Sequence, residues 1–130
     1  MKQITVVTTD RPGVVAEISE ALAAAGVNIE ELAAEGVGGT AVAILAVDRY
    51  DEALRALAAR GFKAVSEDAL VVQLDDRSGE LARITRRFKD AGINLRSVRI
   101  IRRWGGKCFV ALAAERSDEA RALVQDVLVS

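Results

Sequence analysis

The 130-residue sequence contains no histidine and only one cysteine, Cys108. Histidine is the commonest general base and metal ligand near neutral pH, and cysteine is the usual alternative as a nucleophile or soft-metal ligand. Their scarcity argues against a nucleophile–base pair and against a transition-metal site, and one cysteine cannot form a disulfide within the chain. We therefore expect a protein that is not an enzyme and that uses no cofactor or metal.

Aromatic residues, long apolar runs and net charge are also scarce. Aromatics make up 4% of a sequence that is 51% hydrophobic, so the core must be built from Val, Ile, Leu and Ala. No run reaches the roughly 18 apolar residues of a membrane span, and the first residues lack the pattern of a secretion signal. The net charge of −1 is unlike that of most nucleic-acid or membrane-surface binders. These features predict a cytoplasmic protein with no nucleic-acid or membrane partner.

What the sequence does contain is one pattern repeated twice. Laying the second half on the first pairs Asp10 with Asp76 and the segment Ala25–Ile29 with Ala91–Leu95. Dense collinear matches of this kind indicate an internal duplication. We therefore predict two domains, residues 1–66 and residues 67–130.

Each copy is predicted to follow the order strand, helix, strand, strand, helix, strand. Short runs rich in Val, Ile and Thr predict the strands, and apolar residues at helical spacing predict the helices. Gly36, Gly38 and Gly39 are assigned to the hairpin turn between the middle strands. The predicted elements of the first copy are Ile4–Thr8, Val14–Ala25, Val27–Glu35, Thr40–Val47, Asp51–Arg60 and Phe62–Val65.

This order predicts an α+β protein of two ferredoxin-like βαββαβ units. Right-handed crossovers interleave the strands into a four-stranded antiparallel sheet of order 4-1-3-2, with both helices on one face. The second copy ends soon after its second predicted helix, so its last strand is predicted to be missing or reduced to a stub at Val127–Val129.

The turn Asp10–Gly13 joins the first predicted strand to the first predicted helix. Asp is a favoured N-cap, Pro fits the first helical turn, and Gly13 lets the backbone approach a ligand. The unpaired amides of a helix start and its dipole can also hold an anion. We therefore predict that Asp10 caps the helix and that the turn is a candidate anion site; a capped helix start without a ligand is the alternative.

The motif Asp10–Gly13 followed by Ala25–Ile29, inside a βαββαβ unit, strongly resembles the ACT-domain family. The first copy has the full motif, whereas the second is degenerate, with Ser78 in place of the proline and Glu80 in place of Val14. ACT domains are regulatory modules that bind amino acids or related metabolites at an interface between domains. The resemblance implies a non-catalytic allosteric module with a small amino acid as ligand. The alternative is an interaction subunit, without its own ligand, that regulates an enzyme of amino-acid metabolism or a transcription factor.

The resemblance also implies which residues form the site. Amides of the loop after the first strand would hold the ligand's carboxylate, the Asp before Arg-Pro-Gly would contact the amino acid, and the Asn after Gly-Val would reach across from a neighbouring domain. The asparagines have an alternative interpretation as turn residues at a strand entry. The implied ligand-binding residues are Asp10, Arg11, Pro12, Gly13, Val14, Asn28, Asp76, Gly79 and Asn94.

The second predicted strands of the two copies carry opposite charge. The first carries Glu30, Glu31 and Glu35, and the second carries Arg96, Arg99, Arg102 and Arg103. Opposite charges on paired strands stabilise a sheet, so we hypothesise that these edges join two units in one eight-stranded sheet, within a chain or in a homodimer. A solvated basic edge that resists aggregation is the alternative.

Overall fold

The computed structural model describes residues 1–129, which divide into two compact units. The first unit is Lys2–Glu67, and the second contains Met1 and the chain from Asp68 onward. The elements that begin in the first unit are β1 (Lys2–Thr9), α1 (Val14–Ala24), β2 (Ile29–Val37), β3 (Thr40–Val47), α2 (Tyr50–Ala59) and β4 (Ala64–Asp68).

The first unit has the predicted sheet, with strand order β2-β3-β1-β4. Both β1 and β2 run antiparallel to β3, which places Ile4 and Leu32 on either side of Leu45. This arrangement confirms the predicted α+β, ferredoxin-like fold.

The core of the first unit lies between its helices and one face of the sheet. Ile18 and Leu22 of α1 and Leu57 of α2 pack in one buried cluster with Ile4 and Leu45. The helical residues recur at intervals of three to four and the buried strand residues alternate, so each element turns one apolar side inward. Both helices therefore cover the same face of the sheet, as predicted.

The second unit repeats this plan with a three-stranded sheet of order β5-β7-β6. At the place of a fourth strand, Leu128 forms an isolated antiparallel bridge with Val72, and the Val129 amide donates to the Val71 carbonyl at 2.7 Å. The end of the described chain thus pairs with β5 over a short stretch. The elements are β5 (Leu70–Asp75), α3 (Glu80–Ala91), β6 (Leu95–Trp104), β7 (Lys107–Ala114) and α4 (Ser117–Leu123).

The prediction that Gly36 belongs to the first hairpin turn is wrong. Gly36 lies within β2, opposite Ala41 of β3. The turn consists of Gly38 and Gly39, whose φ values are 57° and 81°. Two consecutive positive φ angles define the tight turn that best matches the twist of paired strands, and glycine adopts them without strain.

The described residues form two separate sheets, of four and three strands. Within that part of the chain β2 pairs with β3, and β6 pairs with β7. The hypothesised pairing of the β2 and β6 edges in one eight-stranded sheet, within a chain or between two copies, stays a prediction. No helix in residues 1–129 is long and apolar enough to cross a membrane.

Candidate ligand site

A cavity of about 410 Å³ opens in the first unit between the start of α1 and the neighbouring strands. Its walls come from the loop after β1, from the first turns of α1, and from the ends of β2 and β3 that meet at the hairpin. The residues that line it include Thr8, Asp10, Arg11, Gly13, Val14, Val15, Ala16, Ala34, Glu35, Gly36, Ala41 and Ala43.

Small side chains on the sheet create this space. Ala34 lies opposite Ala43 in the β2–β3 register, and Gly36 lies opposite Ala41. Alternate residues of a strand share a face, so these four positions line the same face of the sheet, beside α1. These four positions form the floor of the cavity. Because no large side chain projects from them, the space above them stays open.

The carboxylate of Asp10 lies directly over Gly36. A Cβ atom added to Gly36 would lie 2.3 Å from Oδ2 of Asp10, so no other residue fits there without moving the carboxylate. The Asp10 amide donates to the Gly39 carbonyl at 2.9 Å, which fixes the backbone. The carboxylate itself has no hydrogen bond or ion pair among residues 1–129. It is therefore available to a cationic group in the cavity.

The prediction that Asp10 caps α1 is wrong. The N-cap is Gly13, with φ 89°, and no side chain bonds to the first turn. The amides of Val15 and Ala16 find no acceptor within the described part of the chain, as expected for a helix start without a side-chain cap. Both residues line the same cavity as Asp10.

Arg11 is the basic residue of the cavity lining, and its charge is already compensated. Its guanidinium donates two hydrogen bonds to the Glu17 carboxylate, at 2.8 and 2.5 Å. This pairing raises the pKa of Arg11 and lowers the pKa of Glu17. The Asp10 carboxylate then leaves the lining with an uncompensated negative charge.

The structure brings together most of the predicted site residues of the first copy. All of the loop Asp10–Val14 except Pro12 lines the cavity. Asn28 lies beyond the other end of α1, where its backbone N–H donates to Oδ1 of Asp48 at 2.8 Å. Any contact of Asn28 with a ligand in this cavity would have to come from another domain. Sequence reasoning missed the small residues of β2 and β3 that make the space.

Comparison with known families identifies the first unit. Residues 2–62 match the family model of the ACT domain. The first unit contains an ACT domain. The match includes the loop Asp10–Val14, the strands that line the cavity and α2, so the cavity belongs to the ACT domain itself.

Solved structures with the same fold extend over the whole chain. Protein BT0572 from Bacteroides thetaiotaomicron superimposes with a TM-score of 0.82 at 18% identity, covering 98% of this chain and 90% of that chain. The ligand-free regulatory subunit of aspartate kinase from Thermus thermophilus gives 0.67 at 21% identity, covering 97% and 91%. At these identities the likeness shows the fold alone. No curated protein sequence matches the chain.

The corresponding cavity of the second unit is only about 80 Å³. Larger side chains occupy the positions that are small in the ACT domain of residues 2–62. In the two sheet registers Leu74 stands where the first unit has Thr8, Ile100 where it has Ala34, Cys108 where it has Ala41, and Val110 where it has Ala43.

Charged side chains that line the cavity of the second unit are paired with one another or with Arg83. The Glu80 carboxylate is held between Arg77 and Arg83, with closest distances of 3.0 and 2.8 Å. The Arg103 Nε donates to Oδ1 of Asp76 at 3.2 Å. Asp76 is therefore paired, whereas Asp10 of the ACT domain is not. The predicted site residue Asp76 follows β5 and Gly79 is the N-cap of α3, as Asp10 follows β1 and Gly13 is the N-cap of α1, and Asn94 precedes β6.

The paired Glu80 predicts a pH-dependent contribution to stability. Hydrogen bonds from Arg83 and then from Arg77 hold the pKa of Glu80 below its ordinary value of 4.5. A carboxyl whose pKa is lower in the folded state stabilises the fold above its unfolded-state pKa, and this stabilisation is lost as the pH falls. Glu80→Gln is expected to lower the Tm at pH 7, and the difference from wild type is expected to shrink below pH 4.5.

Asp90→Asn is the control for this measurement. Asp90 is exposed on α3 and has no ion pair among residues 1–129. Thermal unfolding followed by circular dichroism from pH 7 to pH 3 compares the two variants with wild type. A Tm difference for Glu80→Gln that stays constant over this range would contradict the proposed role of the ion pairs.

Proposed function

We propose that the ACT domain of residues 2–62 binds a small amino acid in its cavity and that the chain is a non-catalytic regulatory protein. The observation that carries the proposal is one open cavity lined by Asp10, whose carboxylate is unpaired, and by Val15 and Ala16, whose backbone amides find no acceptor in residues 1–129. An α-amino acid presents the complementary pair of groups, an ammonium and a carboxylate. The volume of about 410 Å³ lies in the range of small-molecule sites.

Each part of an amino acid has a counterpart in the lining. The ammonium group would donate to Asp10, forming a charge-assisted hydrogen bond. The carboxylate would accept from the amides of Val15 and Ala16, where the α1 dipole favours negative charge. An apolar side chain would lie against Ala34 and Ala43, whose methyl groups leave room for it. The negative excess of the lining favours the ammonium end over a ligand that is only anionic.

A regulatory role would follow from linkage between ligand and assembly. A ligand that binds one packing arrangement better than another shifts the equilibrium by the difference in its affinity. The similarity to a structure described as the regulatory subunit of aspartate kinase supports an enzyme of amino-acid metabolism, or a regulator of such enzymes, as the controlled partner. In a homodimer, Asn28 of a second copy would complete the site.

The first test is an amino-acid screen with matched aspartate variants. Isothermal titration with each of the twenty standard amino acids is expected to identify a ligand for wild type. Asp10→Asn is expected to weaken its binding about 10- to 100-fold, because a hydrogen bond to a charged group contributes about 1.5–3 kcal/mol. Asp76→Asn removes the equivalent charge from the second unit and is expected to leave the affinity unchanged.

Two outcomes would contradict the proposal. One is the absence of binding by any amino acid, and the other is an equal loss of affinity in Asp10→Asn and Asp76→Asn. The first outcome would favour an interaction subunit without a ligand. The apolar side chains exposed on β6, Val98, Ile100 and Trp104, support that second candidate.

A further inference from the structure

Gly36 and Arg103 occupy the same place in the two units. Gly36 lies opposite Ala41 in the β2–β3 register, and Arg103 lies opposite Cys108 in the β6–β7 register. The pairs also correspond in sequence, because each glycine-rich turn follows at the same distance. One position therefore carries no side chain in the first unit and the longest cationic side chain in the second.

The two residues differ in whether they pair with the carboxylate of the neighbouring aspartate. Gly36 leaves the Asp10 carboxylate in direct contact with strand backbone and open to the cavity. Arg103 places its guanidinium against Asp76, with 3.2 Å between Nε and Oδ1. The cation that an incoming ligand would have to bring to Asp10 is thus supplied to Asp76 by the protein.

Other side chains of the second unit also reduce the volume of its cavity. Ile100 and Val110 take the places of the alanines that form the floor of the first cavity. Glu80, held by two arginines, stands at the first helical position, where the first unit has Val14. Only about 80 Å³ remains, against about 410 Å³ in the first unit.

We propose that the second unit is closed by its own side chains and binds no ligand. Arg103 acts there as an internal substitute for the ligand's cationic group. Gly36 is the residue that keeps the cavity of the first unit open. The statement about ligand stoichiometry rests on the function proposed above. The statement about closure does not, because it concerns the access of any small molecule to the two cavities.

The native cysteine makes closure measurable without a ligand. Cys108 lines the second cavity opposite Arg103, and Ala41 is its counterpart in the first. Thiol alkylation depends on access of the reagent to the sulfur. With a small neutral reagent such as iodoacetamide, Cys108 of wild type is expected to react severalfold more slowly than the thiol introduced by Ala41→Cys in a Cys108→Ala background.

Substitution of Arg103 tests its role directly. Arg103→Ala is expected to accelerate the alkylation of Cys108 severalfold, because it removes a long side chain from the cavity lining. Arg102→Ala is the matched control: it removes the same charge from the adjacent position, where Arg102 stacks on Trp104 and does not line the cavity. Equal rates for Arg103→Ala, Arg102→Ala and wild type, with the fold intact by circular dichroism, would overturn the proposal.

The reciprocal substitution keeps the proposal falsifiable if Arg103→Ala does not fold. Gly36→Arg, in the Ala41→Cys and Cys108→Ala background, is expected to slow alkylation to the rate of Cys108 in wild type. An unchanged rate would overturn the proposal. In an otherwise wild-type chain, Gly36→Arg is expected to abolish the binding of any amino acid found by titration, and wild type is expected to bind one molecule per chain.

The two proposals fail in different ways. If no amino acid binds but the alkylation rates follow the expected pattern, the proposed function is wrong and the closure of the second unit stands. If two ligands bind per chain, or if Cys108 and the introduced thiol react at the same rate, closure is wrong whatever the function of the first unit.

Discussion

Replacement of Phe88 with alanine is expected to lower the free energy of unfolding of the second unit by about 3–5 kcal/mol. Phe88 lies on α3, is 1% exposed and belongs to the buried hydrophobic cluster of the second unit. Loss of the ring removes its burial energy and leaves a cavity that a small core cannot easily close. A unit of about 60 residues is only marginally stable, so this loss is a large part of the total.

Leu22→Ala is the matched change in the first unit. Leu22 is the counterpart of Phe88 on α1 and is fully buried, so a loss of about 2–5 kcal/mol is expected there. Urea unfolding measures the total change, and hydrogen exchange of peptides from each unit shows which one opens. Lys89→Ala, at the exposed neighbour of Phe88, is the control and is expected to stay within about 0.5 kcal/mol of wild type. Loss of protection in both units from either core substitution would contradict their separate cores.

The order of elements could be predicted from sequence because it depends on local patterns. The apolar run Thr40–Val47 gave the bounds of β3, and helical spacing from Val14 gave the start of α1. A strand–helix–strand–strand–helix–strand order with right-handed crossovers then allows few topologies. The predicted sheet order followed from these facts without knowledge of any tertiary contact.

The inner wall of the cavity could not be predicted, because β2 has no clear alternation of apolar and polar residues. The segment Leu32–Gly36 reads Leu, Ala, Ala, Glu, Gly, and the register is offset by a bulge between Ile29 and Glu31. Only the observed pairing shows that Ala34 and Gly36 share a face with Ala43. Comparison of the two copies position by position could have drawn attention to Gly36, because its counterpart is an arginine.

The start of α1 shows how a correct motif led to an incorrect role. Asp is a common N-cap, but here the chain turns at Gly13 in a left-handed conformation, and α1 begins only after it. Asp10 is therefore left at the end of β1, on the sheet side of the cavity rather than on the helix. Its carboxylate and the helix amides remain separate groups, which is what a ligand with two opposite charges requires.

Filling the first cavity with the side chains of the second is expected to abolish amino-acid binding. The double variant Ala34→Ile and Ala43→Val copies Ile100 and Val110, and its added methyl groups would occupy the space assigned to the ligand. Each buried methylene contributes about 0.8 kcal/mol, so the free energy of unfolding is not expected to fall if the new groups enter the cavity. Isothermal titration and urea unfolding measure the two effects separately.

Ala33→Ile is the matched control for the larger of these changes. Ala33 neighbours Ala34 on β2 but lies opposite Ile44, on the other face of the sheet. The same side chain placed there adds apolar surface without entering the cavity, so the affinity is expected to match that of wild type. Retention of binding by the double variant would show that the ligand does not occupy this cavity. An equal loss of affinity in Ala33→Ile would instead show that the effect comes from a disturbed β2 strand and not from filling the space beside α1. The expected contrast between two adjacent alanines therefore tests the location of the site more directly than any change in the loop.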